Sequence, residues 1–122
     1  MLETFTELSI LYDFYGDLLP KRQKEVFRLY HEENYSLAEI AEEYDLSRQG
    51  VHASVKRTEE KLQSLEKQLG LVKRFREQEE VFRRLEGSIG TLLNELETGS
   101  PDAELFRTKL EEMAKDIQSL EE

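Results

Sequence analysis

The sequence predicts an all-α protein, and three observations carry that prediction. Apolar residues recur at alternating steps of three and four along nearly the whole chain, the spacing of a single helical face. Gly and Pro are scarce, six and two in 122 residues, while Glu, Leu, Lys and Arg abound. No segment shows the period of two that a half-buried strand requires.

The elements follow in order. Leu2, Phe5, Leu8, Leu11, Tyr12 and Tyr15 mark the inner face of a first helix, which Gly16 ends. Pro20 suits the first turn of a second helix, where its missing N–H costs nothing. That helix runs to about Glu33, with Val26, Phe27, Leu29 and Tyr30 inward and Lys21, Arg22, Lys24 and Arg28 outward. Asn34-Tyr35 breaks the pattern. Ser36-Leu37-Ala38-Glu39 then reads as a capping box opening a short third helix, with Leu37, Ile40, Ala41 and Tyr44 inward. Asp45-Leu46 is a tight turn, and Ser47 is the N-cap of a fourth helix that stops at Gly70.

The fourth helix carries one continuous stripe of Val51, Val55, Thr58, Leu62, Leu65 and Leu69. A fifth helix from about Leu71 repeats the device with Phe75, Phe82, Leu85, Ile89, Leu92 and Leu96; Gly87 and Gly90 weaken its middle and predict a bend. Ser100 as N-cap and Pro101 at the first helical position open a sixth helix, striped by Ala103, Phe106, Leu110, Met113, Ile117 and Leu120. Stripes of this kind pack at shallow angles. The last two helices therefore pair as an antiparallel hairpin or with a second copy of the chain, and a homodimer is expected. The alternative is an intramolecular bundle that uses all three stripes. Residues 1–70 form the first domain and 71–122 a helical extension.

Residues 37–57 have the grammar of a helix-turn-helix: a short helix, a turn at Asp45-Leu46, and a helix with a polar, basic start. Ala41 is small where the two helices must approach. Asp45 holds a position that needs a left-handed backbone, where Gly is usual and Asp or Asn is tolerated. Leu46, Val51 and Val55 seal the pair. Arg48, Gln49, His52, Ala53 and Lys56 are left on the outer face of the second helix, the one that enters the major groove in such motifs. Arg48 can grip guanine in two places and Gln49 adenine in two places. Gly50 and Ala53 permit close backbone approach, and Ser47, Lys56 and Arg57 suit phosphates at a helix start that is itself partly positive. Lys21, Arg22, Lys24, Lys73, Arg74 and Arg76 make a secondary basic set.

Other functions are disfavoured. The chain has no Cys, no nucleotide-binding Gly-rich loop and none of the spacings HExxH, DxDxDG or GxSxG, so neither an enzyme nor a cofactor is expected. Its two histidines, His31 and His52, sit on different helices and read as solvent-facing residues without a metal. Acid runs such as Glu77-Gln78-Glu79-Glu80 and Glu111-Glu112 read as solvated faces. The apolar runs are too short to span a bilayer, and the N-terminus has acids where an export signal needs bases, so no membrane insertion and a cytoplasmic location are expected.

Charge needs dividing. With 27 acids and 17 bases the net charge is −10, which opposes binding to nucleic acid by bulk attraction. Residues 46–58, however, hold Arg48, Lys56 and Arg57 and no acid, and residues 18–24 hold Lys21, Arg22 and Lys24 and no acid. Binding through a small patch is therefore compatible with the composition. It predicts weak non-specific affinity and steep salt dependence.

Two resemblances extend this reading. Leu19 to Leu62 resembles region 4 of bacterial sigma factors, within the winged-helix-like class of DNA-binding folds, through its LP-x-RQ-x-EVF opening, its S-x-x-EIA first helix and its Ser47-Arg48 start. It departs from sigma factors in lacking their preceding regions and in having Asp45 for the usual Gly. The chain is more closely similar to the YlxM-like family of small bacterial helix-turn-helix proteins, through ILYDFYGDLL, LSRQGV, VKRTEEKL and an acidic, coiled tail, over at least residues 5–75. That resemblance implies DNA binding, transcription regulation and a link to the signal recognition particle pathway. Its rival is a module that binds a protein or RNA component of that particle without reading DNA.

Overall fold

The computed structural model describes residues 2–121, with side chains from residue 5 onward, and every regular element among them is helical. The order is α1 (Leu2–Tyr15), a 3-10 turn (Gly16–Leu18), α2 (Lys21–His31), α3 (Leu37–Tyr44), α4 (Arg48–Leu69), α5 (Leu71–Glu97) and α6 (Ala103–Leu120). The side chain of Leu2, assigned above to the inner face of α1, lies outside the described residues. The chain divides into two compact units, Met1–Val72 and Lys73–Glu122.

In the first unit α4 is the central helix, and α1, α2 and α3 all pack on it. Tyr15, Phe27, Ile40, Val51 and Leu62 are buried to the point of vanishing exposure. The expected stripe of α4 is covered from Val51 through Leu62 and half-covered at Leu65, but Leu69 is exposed. Two polar residues share the covered face. Thr58 is fully buried and donates its hydroxyl to the Ser54 carbonyl at 2.9 Å, so the helix satisfies it internally.

Gly16 has a packing role as well as ending α1. A Cβ there would lie 3.2 Å from the Tyr12 ring, a tight contact that would push the ring aside by a few tenths of an ångström. Pro20 stands one residue earlier than expected, at the N-cap of α2 rather than inside its first turn. At the far end of α4, Gly70 takes the left-handed conformation (φ 63°) and ends the helix. The start of α5 is then capped by distant groups. The Tyr15 hydroxyl donates to Glu66, the Leu71 N–H donates to the Tyr15 hydroxyl at 3.1 Å, and the Val72 N–H donates to Glu66 Oε1 at 3.0 Å. Burial, and then the bond to Glu66, push the Tyr15 phenol above its ordinary pKa.

His31 overturns an expectation. It is not solvent-facing but core, stacked on Phe27 with ring centroids 4.2 Å apart. Its position beside the inward Phe27 on α2 puts it under α1, which a charge-based reading of a lone histidine misses.

The second unit is an antiparallel hairpin of α5 and α6, tied at one place by Arg84 to Asp116 (3.2 Å) and at the other by the Asp102 N–H to Glu95 Oε1 (3.1 Å). Helix α5 runs unbroken through Gly87 and Gly90. Its covered line is Val81 and Ser88, flanked by half-buried Gln78, Leu85, Leu92 and Glu95. This is one register round from the expected stripe, since Phe75, Phe82, Ile89 and Leu96 are all about half exposed. Helix α6 has no buried residue, and Leu110 and Ile117 of its stripe are exposed. Its cap is Asp102, whose side chain accepts from the Glu104 N–H, and not Ser100; Pro101 therefore precedes the helix.

Candidate nucleic-acid interface

The site is assembled from local chemistry. The capping box at Ser36 is complete: the Glu39 N–H donates to Ser36 Oγ and the Ser36 N–H donates to Glu39 Oε1, both at 3.1 Å. The Ser36 N–H, and then the Ser36 hydroxyl, hold the Glu39 carboxyl below its usual pKa. Helix α3 ends with Asp45 in the left-handed region (φ 55°), with the Leu46 N–H donating to the Ala41 carbonyl at 2.8 Å and the Asp45 N–H reaching the Glu42 carbonyl. That pair of bonds is the Schellman arrangement, and it sets the tight corner between α3 and α4. Ser47 then caps α4 by accepting from the Gly50 N–H at 2.9 Å.

Helix α4 separates its residues cleanly. Val51, Ser54, Val55, Thr58 and Leu62 are buried, so Arg48, Gln49, His52, Lys56 and Arg57 emerge on the opposite face. Ser47 is exposed at the helix start, while Gly50 and Ala53 are half-buried between the two faces. One expected seal fails: Leu46 is 37% exposed, and the corner is closed by Ile40, Ala41, Val51 and Val55 instead. Among the described residues Arg48 and Arg57 have no ion pair. Lys56 Nζ lies 3.7 Å from Glu59 Oε2, so the patch is not wholly free of acid influence.

The secondary basic residues are divided between the two units. Lys21 and Arg22 are exposed at the start of α2, and the Arg22 guanidinium lies over the Tyr44 ring at 5.4 Å. Lys24 is bound to Asp17, which holds the Asp17 carboxyl below and the Lys24 ammonium above their ordinary pKa values. Lys73, Arg74 and Arg76 belong to the other unit, on α5. Tyr44 ties α3 to α2 by donating to Glu25 Oε2 at 3.1 Å. No cluster of three His, Cys, Asp or Glu side chains able to hold a metal exists among the described residues, and no helix is long and apolar enough to cross a membrane.

A capped short helix, a left-handed corner and an amphipathic second helix with a basic outer face define a helix-turn-helix protein. The chain belongs to the family described as "Putative helix-turn-helix protein, YlxM / p13 like", whose model matches residues 2–98, from α1 to the end of α5. It is 40% identical over 114 residues to UPF0122 protein YlxM of Bacillus subtilis (strain 168), covering 93% of this chain and 96% of that protein. A UPF0122 protein of Bacillus velezensis is 41% identical over 114 residues, with the same coverage. One from Thermoanaerobacter sp. (strain X514) is 40% identical over 120 residues, 98% of each chain.

Proposed function

We propose that this protein is a non-enzymatic, cytoplasmic regulator that binds duplex DNA through the outer face of α4. The observation that carries the reading is the joint exposure of Arg48, Gln49, His52, Lys56 and Arg57 on a helix whose other face is locked into the core. Arg48 and Gln49, in the first turn, read base edges, while Ser47, Lys56 and Arg57 hold phosphates. This is the docking that the sigma region 4 resemblance implies. A net charge of −10 supplies little general attraction, so affinity depends on this patch and falls steeply with salt. Selection from random duplexes at low salt tests the reading. A preferred sequence should emerge, and Arg48→Ala with Gln49→Ala should weaken binding to it far more than to random DNA. Absence of duplex affinity at low salt in the unaltered protein would end the proposal.

The regulator acts as a homodimer joined through α5 and α6. Phe82, Ile89, Leu96, Leu110 and Ile117 form lines that are about half exposed within the hairpin, and a second copy would cover them. A second reading keeps the helix-turn-helix as a scaffold and assigns its face to a protein or RNA component of the signal recognition particle. It is favoured by half-buried Gly50 and Ala53, which leave few long side chains for base edges. A mobility shift with the particle's RNA and a pull-down with its protein, run beside the duplex selection, separate the two readings.

A further inference from the structure

His31 is an unusual core residue. Its side chain is 3% exposed, and neither ring nitrogen has a hydrogen-bond partner among the described residues. The ring is stacked between Phe27 and Phe5, the latter at 4.6 Å between centroids, with Tyr30 edge-on at 5.4 Å. Glu59 Oε1 stands 3.7 Å from Nε2, too far for a hydrogen bond. A buried polar ring left in this state carries a desolvation penalty that a leucine or phenylalanine would avoid.

The same imidazole lines a partly open cavity of about 400 Å³, within the size range of small-molecule sites. Phe5, Leu8, Tyr30 and Tyr35 give it apolar and aromatic walls, and Asn34 and Glu59 are its other polar groups. Asn34 is held in the left-handed region (φ 63°), a conformation that asparagine tolerates better than most residues. We propose that this cavity, between α1, α2 and α4, is a binding site for a small planar aromatic cation whose ring stacks on the aromatic walls and whose N–H groups are received by the Glu59 carboxylate.

The sign of the ligand's charge follows from the walls. Aromatic faces attract cations, and among the described residues the one formal charge lining the cavity is the Glu59 carboxylate. The other oxygen of that carboxylate faces an exposed lysine, Lys56, at 3.7 Å. An anion would face Glu59 with no cationic group among the lining residues. Burial holds the imidazole below its ordinary pKa, against the pull of Glu59 and Glu32, so at neutral pH the ring is uncharged and does not repel a cation beside it. None of this depends on what the outer face of α4 binds.

The test is a titration of the full chain with benzamidine, followed by the ring signals of His31 and by amide shifts across α1, α2 and α4. Saturable shifts centred on His31 and Glu59 are expected. Binding should weaken by about tenfold or more in Glu59→Gln, and benzoate should be weaker than benzamidine by a similar factor. His31→Phe, which keeps the stack and the Glu59 carboxylate, should leave both the binding and the folded amide spectrum unchanged. No saturable shift up to about 10 mM benzamidine would overturn the proposal. So would equal binding of benzoate, a comparison that needs no variant to fold, or undiminished binding in Glu59→Gln.

Discussion

The Met1–Val72 and Lys73–Glu122 units are written in the same local code and reach different interiors. In the first, α4 has three helices packed against it, and its stripe of Val51, Val55, Thr58 and Leu62 leaves solvent altogether. In the second, two helices face one another, and the covered line of α5 shrinks to Val81 and Ser88. The larger side chains of that helix, Phe82, Ile89 and Leu96, stay about half exposed. An amphipathic helix of a globular protein presents an apolar face roughly 100° wide, and a single partner helix covers only part of it. The number of neighbours, not the strength of the pattern, decides whether a stripe becomes a core.

The largest effect should come from cutting a side chain in the closed core and its counterpart in the open hairpin. Phe27→Ala should cost roughly 3–5 kcal/mol in urea unfolding, against about 1 kcal/mol or less for Phe82→Ala under conditions where the chain is monomeric. Equal losses would break the contrast. Next, if a second copy completes the hairpin, sedimentation should show self-association that Ile89→Glu weakens by about tenfold or more, with the melting of the first unit unchanged. A 14.4 kDa species at micromolar concentration in the unaltered protein would remove the dimer. A smaller effect is expected at the α4 cap: Ser47→Ala should lower stability by about 1 kcal/mol in thermal melts, since the Gly50 N–H loses its acceptor. An unchanged melting temperature would mean that water replaces the hydroxyl without cost.

The smallest effect sharpens the contrast by pH. Burial lowers the folded-state pKa of His31 below the usual value of about 6.5, although Glu59 and Glu32 pull the other way. The folded chain therefore binds fewer protons than the unfolded one in that range. The stabilisation is fully present above about pH 6.5 and is lost as pH falls through the lowered pKa. Melts of the whole protein from pH 7 to 5 should show that slope, and His31→Phe should flatten it. The Lys73–Glu122 unit has no histidine and should contribute none. A slope that survives His31→Phe would assign it to other groups.

Most of the candidate interface was legible in the sequence because its determinants are local. Ser36 and Glu39 announce a capping box, Asp45 a left-handed corner and Ser47 a helix start, and each makes the expected bond or dihedral. Given those two ends, the spacing of Val51, Val55 and Thr58 already forces Arg48, Gln49, Lys56 and Arg57 outward. The misses depend on distant partners. His31 is core because α1 lays Phe5 against it. Lys24 is paired with Asp17, on the preceding 3-10 turn. Ser100 is expected to cap α6, but Asp102 does so where its own N–H is received by Glu95 on the facing helix.

The sequence by itself determined the helices, their stops and which face of α4 carries Arg48 and Gln49, since periodicity, caps and positive-φ positions act within a few residues of chain. Tertiary structure alone decided which apolar faces are covered, that His31 borders a cavity with Glu59, and that Tyr15 and Glu66 cap α5 from 56 and 6 residues away in the chain. Burial is a property of neighbours brought together by the whole fold, and no local pattern states how many of them a helix will find.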